Sequence, residues 1–208
     1  RVLKHDPSNP VWPARDRLIF SKGHGCLALY VMLADSDYFG YFPKSRLAEF
    51  GVDGGLLGGH PERGQVPGVE VTAGSLGHGL SQAVGMALAA KFDGTDHRIF
   101  AVLSDGECNE GSVWEAAMAA SHFNLDNLVA IIDNNNLQQT GLNSDIMAMG
   151  DIATKWRSFG WNSIEINGHD YQELYDVLSQ TPQNNQPLAV VAKTIKGKGI
   201  SFAEHNNA

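Results

Sequence analysis

The sequence predicts an α/β protein in which a parallel β-sheet is flanked by helices. Three short apolar segments, residues 99–103, 128–132 and 188–194, are typical of strands buried on both faces of a parallel sheet. Residues 107–133 contain one amphipathic helix and have the length that a parallel crossover connection needs. Strands that alternate with helices in this way indicate a parallel sheet. We expect residues 1–208 to form one domain.

The other elements are predicted in chain order. Residues 18–20 form a short strand that enters a glycine-rich loop. A helix whose packing face consists of alanine and glycine runs from about residues 74–79 to Lys91. Ser112 and Glu115 have capping-box spacing at the start of the crossover helix. The remaining predictions are loops at residues 51–74, 134–150 and 196–199, helices at 26–33, 43–50, 112–123, 151–159 and 171–178, and a strand at 161–166.

Composition excludes several classes of function. The net charge of −8 argues against a nucleic-acid partner. No apolar run approaches membrane-spanning length and no signal peptide is visible, so we expect no membrane partner. Cys26 and Cys108 lack metal-type spacing and are predicted to be reduced thiols in a cytoplasmic protein.

Asp105 and Asn135 form the most informative pair in the chain. Each follows a predicted buried strand, so a carboxylate and an amide oxygen reach neighbouring strand ends, where open α/β sheets bind ligands. Hard oxygens suit Mg²⁺, which also takes phosphate oxygens and water. The carbonyl of Leu137 can add a third ligand, and the Gly106 amide can approach a phosphate without an intervening side chain. We predict a metal–diphosphate site, with simple polar turns as the alternative.

Glycine-rich loops carry two histidines and the start of a helix. His24 and His60 can hydrogen-bond phosphate or a substrate hydroxyl and can shuttle protons. Residues 74–79 differ from the dinucleotide fingerprint. As a glycine-rich helix start they can face an anion or a cofactor ring, and close helix packing is the alternative. Glu107 and Glu110 are either solvated charges at a helix start or, for Glu110, part of a proton network.

These motifs together resemble the thiamine-diphosphate enzymes, specifically the N-terminal, diphosphate-binding part of the transketolases. Residues 21–25 are similar to the family's S-x-G-H-[AG], and residues 59–62 to its G-H-P-E. Residues 67–79 are similar to P-G-V-E-x-x-[TS]-G-x-L-G-x-G, and residues 104–135 to the thiamine-diphosphate motif. The resemblance covers nearly the whole chain and implies the thiamine-diphosphate-binding fold.

The resemblance implies a cofactor and a metal. Thiamine diphosphate would be anchored through Mg²⁺ (or Ca²⁺) held by Asp105, Asn135 and the carbonyl of Leu137. His24 and the Gly106 amide would contact the diphosphate. The other cofactor-binding positions that the resemblance implies are Gly74, Leu76, His78, Glu107 and Gln139.

The resemblance also implies catalytic roles for three residues. His60 would hydrogen-bond the donor ketose near its C1 hydroxyl, and His24 would act beside the diphosphate. Glu110 would join the carboxylate network that links paired active sites. The chain departs from the family pattern at Ser104, which replaces a glycine. His78 replaces the usual glutamine, and Gln139 stands where an apolar residue is frequent.

A partner follows from the same resemblance. We expect a second subunit to carry the pyrimidine-binding domain, with its activating glutamate, and the C-terminal domain, in an α₂β₂ assembly. The implied reaction moves a two-carbon ketol unit from a ketose to an aldose, with sugars or sugar phosphates as substrates. The alternatives are a fragment of a full-length transketolase, a related enzyme such as 1-deoxyxylulose-5-phosphate synthase, a non-catalytic subunit of this fold and, more weakly, a Mg²⁺-dependent phosphatase.

Overall fold

The computed structural model describes residues 2–36, 42–139, 141–180 and 184–204. In chain order, the strands of the described residues are β1 (Arg17–Phe20), β2 (Ile99–Ser104), β3 (Leu128–Asn134), β4 (Leu137–Gln138), β5 (Gly141–Leu142), β6 (Asn162–Asn167) and β7 (Leu188–Lys193). The main sheet has the order β1-β2-β3-β7-β6, and all its neighbouring strands are parallel. The predicted fold class is therefore confirmed.

Helices pack on both faces of this sheet. They are α1 (Cys26–Asp35), α2 (His78–Phe92), α3 (Gly111–His122), α4 (Asn143–Ile146), α5 (Ile152–Ser158) and α6 (Tyr171–Leu178). Each predicted helix is present, although residues 43–50 form a 3₁₀ helix over Lys44–Glu49 rather than an α-helix. Within the described part of the chain, no helix has both the length and the apolar character needed to cross a membrane.

Residues 134–150 are not the simple polar loop that the sequence predicts. Strands β4 and β5 form an antiparallel pair there, and the single turn α4 follows. A two-residue strand and a four-residue helix are too short to produce the periodic pattern from which longer elements are predicted. This compact segment stands directly beside the end of β3.

The two faces of the sheet are separated by the alternation of side chains along each strand. Ile99, Ala101 and Leu103 of β2 belong to the large core cluster under α2, α3 and α5, in which small residues such as Ala83 and Ala117 are fully buried. The small side chains let α2 pack closely against β2 and against α3. The carboxyl ends of β1, β2 and β3 therefore lie beside the first turns of both helices.

The opposite face of the sheet is formed by the intervening residues of the same strands. Phe100, Val129 and Val190 contact α6 and the N-terminal segment. A cavity of about 530 Å³ lies on this side, between α1 and α6, and is mainly apolar. None of the predicted site residues lines it, so its size carries no argument about the metal–diphosphate site.

The capping-box prediction at the start of α3 is wrong. The helix begins at Gly111, and the preceding Glu110 makes no side-chain capping bond. Ser112 Oγ instead donates a hydrogen bond of 3.0 Å to the carbonyl of Gly77. The serine therefore joins the start of α3 to the start of α2, an arrangement that local spacing along one helix cannot reveal.

Candidate active site at the carboxyl edge of the sheet

The parallel register brings the predicted metal ligands to neighbouring positions. Ser104 of β2 pairs with Asp133 of β3, and the Asp105 amide donates to the Asp133 carbonyl at 3.2 Å. Asp105 and Asn135 therefore follow directly on adjacent strand ends. The sequence argument from parallel strands thus describes the local geometry correctly, while the metal assignment itself stays a prediction.

The Asp105 side chain is completely buried and held by three donors. Its Oδ1 accepts from the Gly106 amide at 2.8 Å, and its Oδ2 accepts from the Asn136 amide at 2.6 Å and from Asn143 Nδ2 at 2.9 Å. Burial raises the pKa of this carboxyl above its ordinary value, against the lowering effect of the three donors, and nearby Asp133 raises it further. Such a carboxylate gains from a compensating cation.

The oxygens around Asp105 fit a divalent cation. A carboxylate offers about four lone-pair positions, and three donors leave one of them for a metal. Among the described residues, Asn135 Oδ1 accepts a hydrogen bond only from the Leu137 amide, at 2.9 Å, and Asn143 Oδ1 is buried without a hydrogen-bond partner. The described residues contain no cluster of three His, Cys, Asp or Glu side chains suited to a metal. A site built on one carboxylate, one amide and one backbone carbonyl does not require such a cluster.

The second carboxylate at this edge is already paired. Asp133 Oδ2 contacts Lys22 Nζ at 2.5 Å, and its Oδ1 accepts a short hydrogen bond from Thr194 Oγ1. These contacts join the residues after β1, the end of β3 and the residue after β7. Among the described residues, Asp105 has no such cationic side-chain partner, which is the condition that a metal-binding aspartate should meet.

The neighbours of Gly106 require a glycine at this position, whether or not a ligand binds there. Its amide donates to Asp105, and an added Cβ would lie 2.7 Å from Gln138 Cβ. The close approach of Gln138 therefore already requires a glycine here. Contact between this amide and a diphosphate stays a prediction, because the amide would have to share its hydrogen with Asp105.

Glu107 is buried at the junction of three loops. Its Oε1 accepts from the Ser21 hydroxyl and, at 2.9 Å, from the Gly77 amide, and its Oε2 accepts from the Ser104 amide at 3.3 Å. The side chain is 0% exposed, so the interpretation of Glu107 as a solvated charge is wrong. Burial raises its pKa, and the three hydrogen bonds oppose that rise. The carboxylate joins the ends of β1 and β2 to the start of α2.

The two predicted histidines lie against each other. The rings of His24 and His60 are 5.2 Å apart, centroid to centroid, in an edge-to-face arrangement, and both residues are exposed. Gly74 has a φ of +146°, and a Cβ there would lie 2.8 Å from His60 Cδ2. A Cβ on Gly23 would lie 2.8 Å from the Gly74 backbone. The motifs 21–25, 59–62 and 74–79 therefore meet at one point.

The remaining predicted positions surround this centre. Leu76 is half-buried, His78 is the exposed first residue of α2, and Gln139 is exposed with a φ of +51°. Glu110 is exposed, as one of its two interpretations requires, and a Cβ on Gly77 would lie 2.7 Å from Glu110 Cβ. Their cofactor and network roles stay predictions.

The sequence analysis missed several residues that hold the site. Asn143 lies within a segment predicted as loop, and it reaches Asp105 from 38 positions away, so no local signal could identify it. Ser21 and Lys22 lie inside a motif that the sequence associates with cofactor contact, yet their side chains bind Glu107 and Asp133. Tyr30 donates a hydrogen bond to the carbonyls of Gly58 and His60, although in the sequence it resembles an ordinary core residue of α1.

Comparison with known proteins identifies the family of the chain. Residues 1–208 match the sequence profile of the family described as transketolase, thiamine diphosphate binding domain. The chain is 43% identical over 205 residues to the 6-deoxy-6-sulfo-D-fructose transketolase subunit of Clostridium sp. (strain MSTE9), covering 98% of this chain and 74% of that relative. It is 43% identical over 204 residues to one of the apulose-4-phosphate transketolase subunits of Actinobacillus succinogenes, covering 98% and 73%.

A solved structure shows the same architecture. The crystal structure of transketolase from Campylobacter jejuni superposes with a TM-score of 0.92 at 35% identity, over 99% of this chain and 33% of that one. The chain thus spans about a third of the solved transketolase. The fold defines an α/β domain with a parallel sheet, and its buried carboxylate lies at the carboxyl edge of that sheet. The chain belongs to the transketolase family, in which it corresponds to the thiamine diphosphate binding domain.

Proposed function

We propose that this chain is the cofactor-anchoring N-terminal subunit of a two-subunit transketolase. The enzyme moves a two-carbon ketol unit from a ketose donor to an aldose acceptor. The observation that carries the proposal is the arrangement of Asp105 and Asn135 on adjacent strand ends, close to the loops that bring His24 against His60. A metal–diphosphate anchor beside two exposed imidazoles is suited to hold a cofactor and a sugar hydroxyl at one place.

The anchor consists of hard oxygen ligands. Asp105, the Asn135 side chain and the Leu137 carbonyl would hold Mg²⁺, with Ca²⁺ as an alternative, and the cation would neutralise the charge of the diphosphate. Support comes from the free lone pairs on Asp105 and Asn135 and from the burial that raises the pKa of Asp105. His24 and the Gly106 amide contact the diphosphate from the side of β1 and β2. Thiamine diphosphate, when bound, supplies the carbon nucleophile.

The residues around the anchor position the other groups. Gly74 and Leu76 line the aminopyrimidine side, and His78, Glu107 and Gln139 complete the surroundings of the cofactor.

The donor side of the site has its own residues. His60 donates to or accepts from the donor ketose near its C1 hydroxyl and assists proton transfer there. Glu110, exposed at the start of α3, connects one active site with its copy.

A second polypeptide completes the active site. We propose that it contributes the pyrimidine-binding domain, including the glutamate that activates the cofactor, and the C-terminal domain, in an α₂β₂ assembly. Support comes from the Clostridium and Actinobacillus relatives, whose names describe them as subunits of transketolases and of which the chain covers 74% and 73%. Residues 1–208 act as one domain in this assembly. The two unpaired, buried cysteines are consistent with a cytoplasmic enzyme.

Retention of the cofactor by the Asp105→Ala variant tests the metal anchor. The wild-type chain should retain thiamine diphosphate only with Mg²⁺ in equilibrium dialysis. Asp105→Ala should lose about 100-fold in affinity, because removal of the charged ligand costs the site about 3 kcal/mol. The matched control is Asp176→Ala, an exposed aspartate on α6. Equal retention by wild type and Asp105→Ala would refute the metal assignment.

Native purification tests the two-subunit proposal. The chain is purified without denaturation, together with whatever binds it, and thiamine diphosphate is quantified in the product. A second polypeptide and a stoichiometric amount of cofactor are expected. A solitary chain that takes up no cofactor even with added Mg²⁺ and thiamine diphosphate contradicts the proposal.

A further inference from the structure

Side chains of helix α1 form hydrogen bonds with the loop that carries His60. This loop is rich in glycine, and its residues 58–60 belong to no helix or strand. Tyr30 Oη lies 3.1 Å from the Gly58 carbonyl and 3.0 Å from the His60 carbonyl, so one phenol hydrogen is shared between two acceptors. Cys26 Sγ donates to the Gly59 carbonyl at 3.2 Å. Three consecutive carbonyls are therefore bound by two side chains of one helix.

The two donors are built into the core of the protein. Cys26 and Tyr30 are four residues apart and therefore lie on the same face of α1. They are 1% and 0% exposed, and they pack with Leu29, Leu33 and Leu57. Burial is the main cause that raises the pKa of both the thiol and the phenol. Both groups therefore stay protonated at neutral pH and remain available as donors.

The imidazole of His60 has little room to adjust on its other side. His24 stands edge-on at 5.2 Å, and the backbones of Gly23 and Gly74 leave no space for a Cβ beside the ring. The backbone of residues 58–60 and the contacts with His24 and Gly74 together set where the ring lies. That backbone is bound by Tyr30 and Cys26, while hydrogen bonds from Ala73 to the Pro61 carbonyl and from Arg63 to Thr72 hold the chain that follows.

We propose that Tyr30, assisted by Cys26, is a positioning residue for His60 and sets the place of its imidazole relative to the donor sugar. This inference rests on the proposed function, because it assigns the effect to the donor step of ketol transfer. Tyr30 does not touch substrate or cofactor. A displacement of about 1 Å at a reacting group can cost on the order of 100-fold in rate, so a partial release of this loop should lower donor turnover measurably.

A double-mutant cycle on the two-subunit enzyme tests the link. Tyr30→Phe keeps the packed ring and removes only the donor, and we expect about a tenfold decrease in kcat/KM for the donor ketose. The affinity for thiamine diphosphate should stay within about twofold of wild type. In the His60→Ala background the same substitution should cause no further loss, because the residue through which Tyr30 acts is absent. An equal loss in both backgrounds, or no loss in either, would overturn the proposal.

Three control variants separate the hydrogen bond from general effects. Tyr171→Phe removes a phenol oxygen from a tyrosine on α6 that is 88% exposed, and it should leave donor kcat/KM unchanged. Cys26→Ser keeps a donor beside the Gly59 carbonyl, whereas Cys26→Ala removes it. The proposal expects the alanine variant to lose more donor kcat/KM than the serine variant, and the reverse order would contradict it.

Amide hydrogen exchange provides a readout that does not depend on activity. The Ala73 amide donates to the Pro61 carbonyl at 3.0 Å, so its protection reports whether the His60 loop stays in place. We expect Tyr30→Phe to speed Ala73 exchange several-fold and Tyr171→Phe to leave it unchanged. If the wild-type assembly shows no ketol transfer, the proposed function fails. The exchange result then decides this inference alone, and unchanged Ala73 exchange in Tyr30→Phe refutes it.

Discussion

Glu107 should be worth more to the stability of this domain than any exposed glutamate, because it satisfies donors from three separate loops. Its carboxylate accepts from the Ser21 hydroxyl and from the amides of Gly77 and Ser104, with the side chain fully buried. Glu107→Ala removes all of these acceptors and leaves a cavity. The Ser21 hydroxyl can rotate toward another partner, but the two backbone amides cannot.

The size of the effect follows from those two amides. Each buried donor left without a partner costs about 1–3 kcal/mol, so Glu107→Ala should lower the free energy of unfolding by about 2–6 kcal/mol. For a chain of this length that corresponds to a decrease in Tm of about 4–24 °C. Glu107→Gln keeps an oxygen for Ser21 and Gly77 and loses only the longer bond to Ser104, so its loss should be about 1 kcal/mol.

Urea and thermal unfolding of the apo chain measure these differences directly. The matched control is Glu115→Ala on α3, an exposed glutamate whose replacement should change stability by no more than about 0.5 kcal/mol. The reasoning is refuted if Glu107→Ala and Glu107→Gln lose equal stability. It is also refuted if Glu107→Ala is no less stable than Glu115→Ala.

Two further predictions concern stability. Gly79→Ala should destabilise the apo chain by about 1–3 kcal/mol in urea unfolding, because a Cβ would collide with the Ser21 hydroxyl and lie 2.9 Å from Ser21 Cα. Gly85 lies in the same helix, and a Cβ there would meet nothing within 4 Å. Gly85→Ala should therefore stabilise the chain by about 0.5–1 kcal/mol in the same titration. Burial lowers the pKa of His97 below its usual 6.5, so the unfolded chain takes up this proton first and stability falls as the pH drops below about 6.5. His97→Gln should flatten that decline in unfolding curves between pH 7 and pH 5, and an unchanged slope would contradict the assignment.

The parts of the fold that depend on regular patterns could be predicted from the sequence. Strands β2, β3 and β7 are short apolar runs, and their parallel pairing follows from the helices between them. The position of Asp105 beside Asn135 follows from the same reasoning, because both residues come at carboxyl ends of neighbouring strands. The meeting of His24 with His60 did not follow from spacing, and only the family resemblance placed both at one site.

The unpredicted side-chain contacts of the site join elements that are distant in the sequence. Asn143 donates to Asp105 from a one-turn helix, and Ser112 binds Gly77 instead of capping its own helix. The burial of Glu107 results from the approach of Ser21, which is 86 positions away in the sequence. Sequence patterns describe one element at a time, so side chains that join separate elements give no periodic signal.

Different side chains hold the two halves of the site, which meet where the rings of His24 and His60 are in contact. The segment that carries His24 is joined through Ser21 to Glu107, and so to the turn that follows Asp105. The segment that carries His60 is joined to α1 through Tyr30. Substitutions at Glu107 should therefore disturb mainly the cofactor side, and substitutions at Tyr30 mainly the donor side. If Glu107→Gln and Tyr30→Phe are combined, their effects on cofactor affinity and on donor kcat/KM should add, because the two variants share no hydrogen-bond partner.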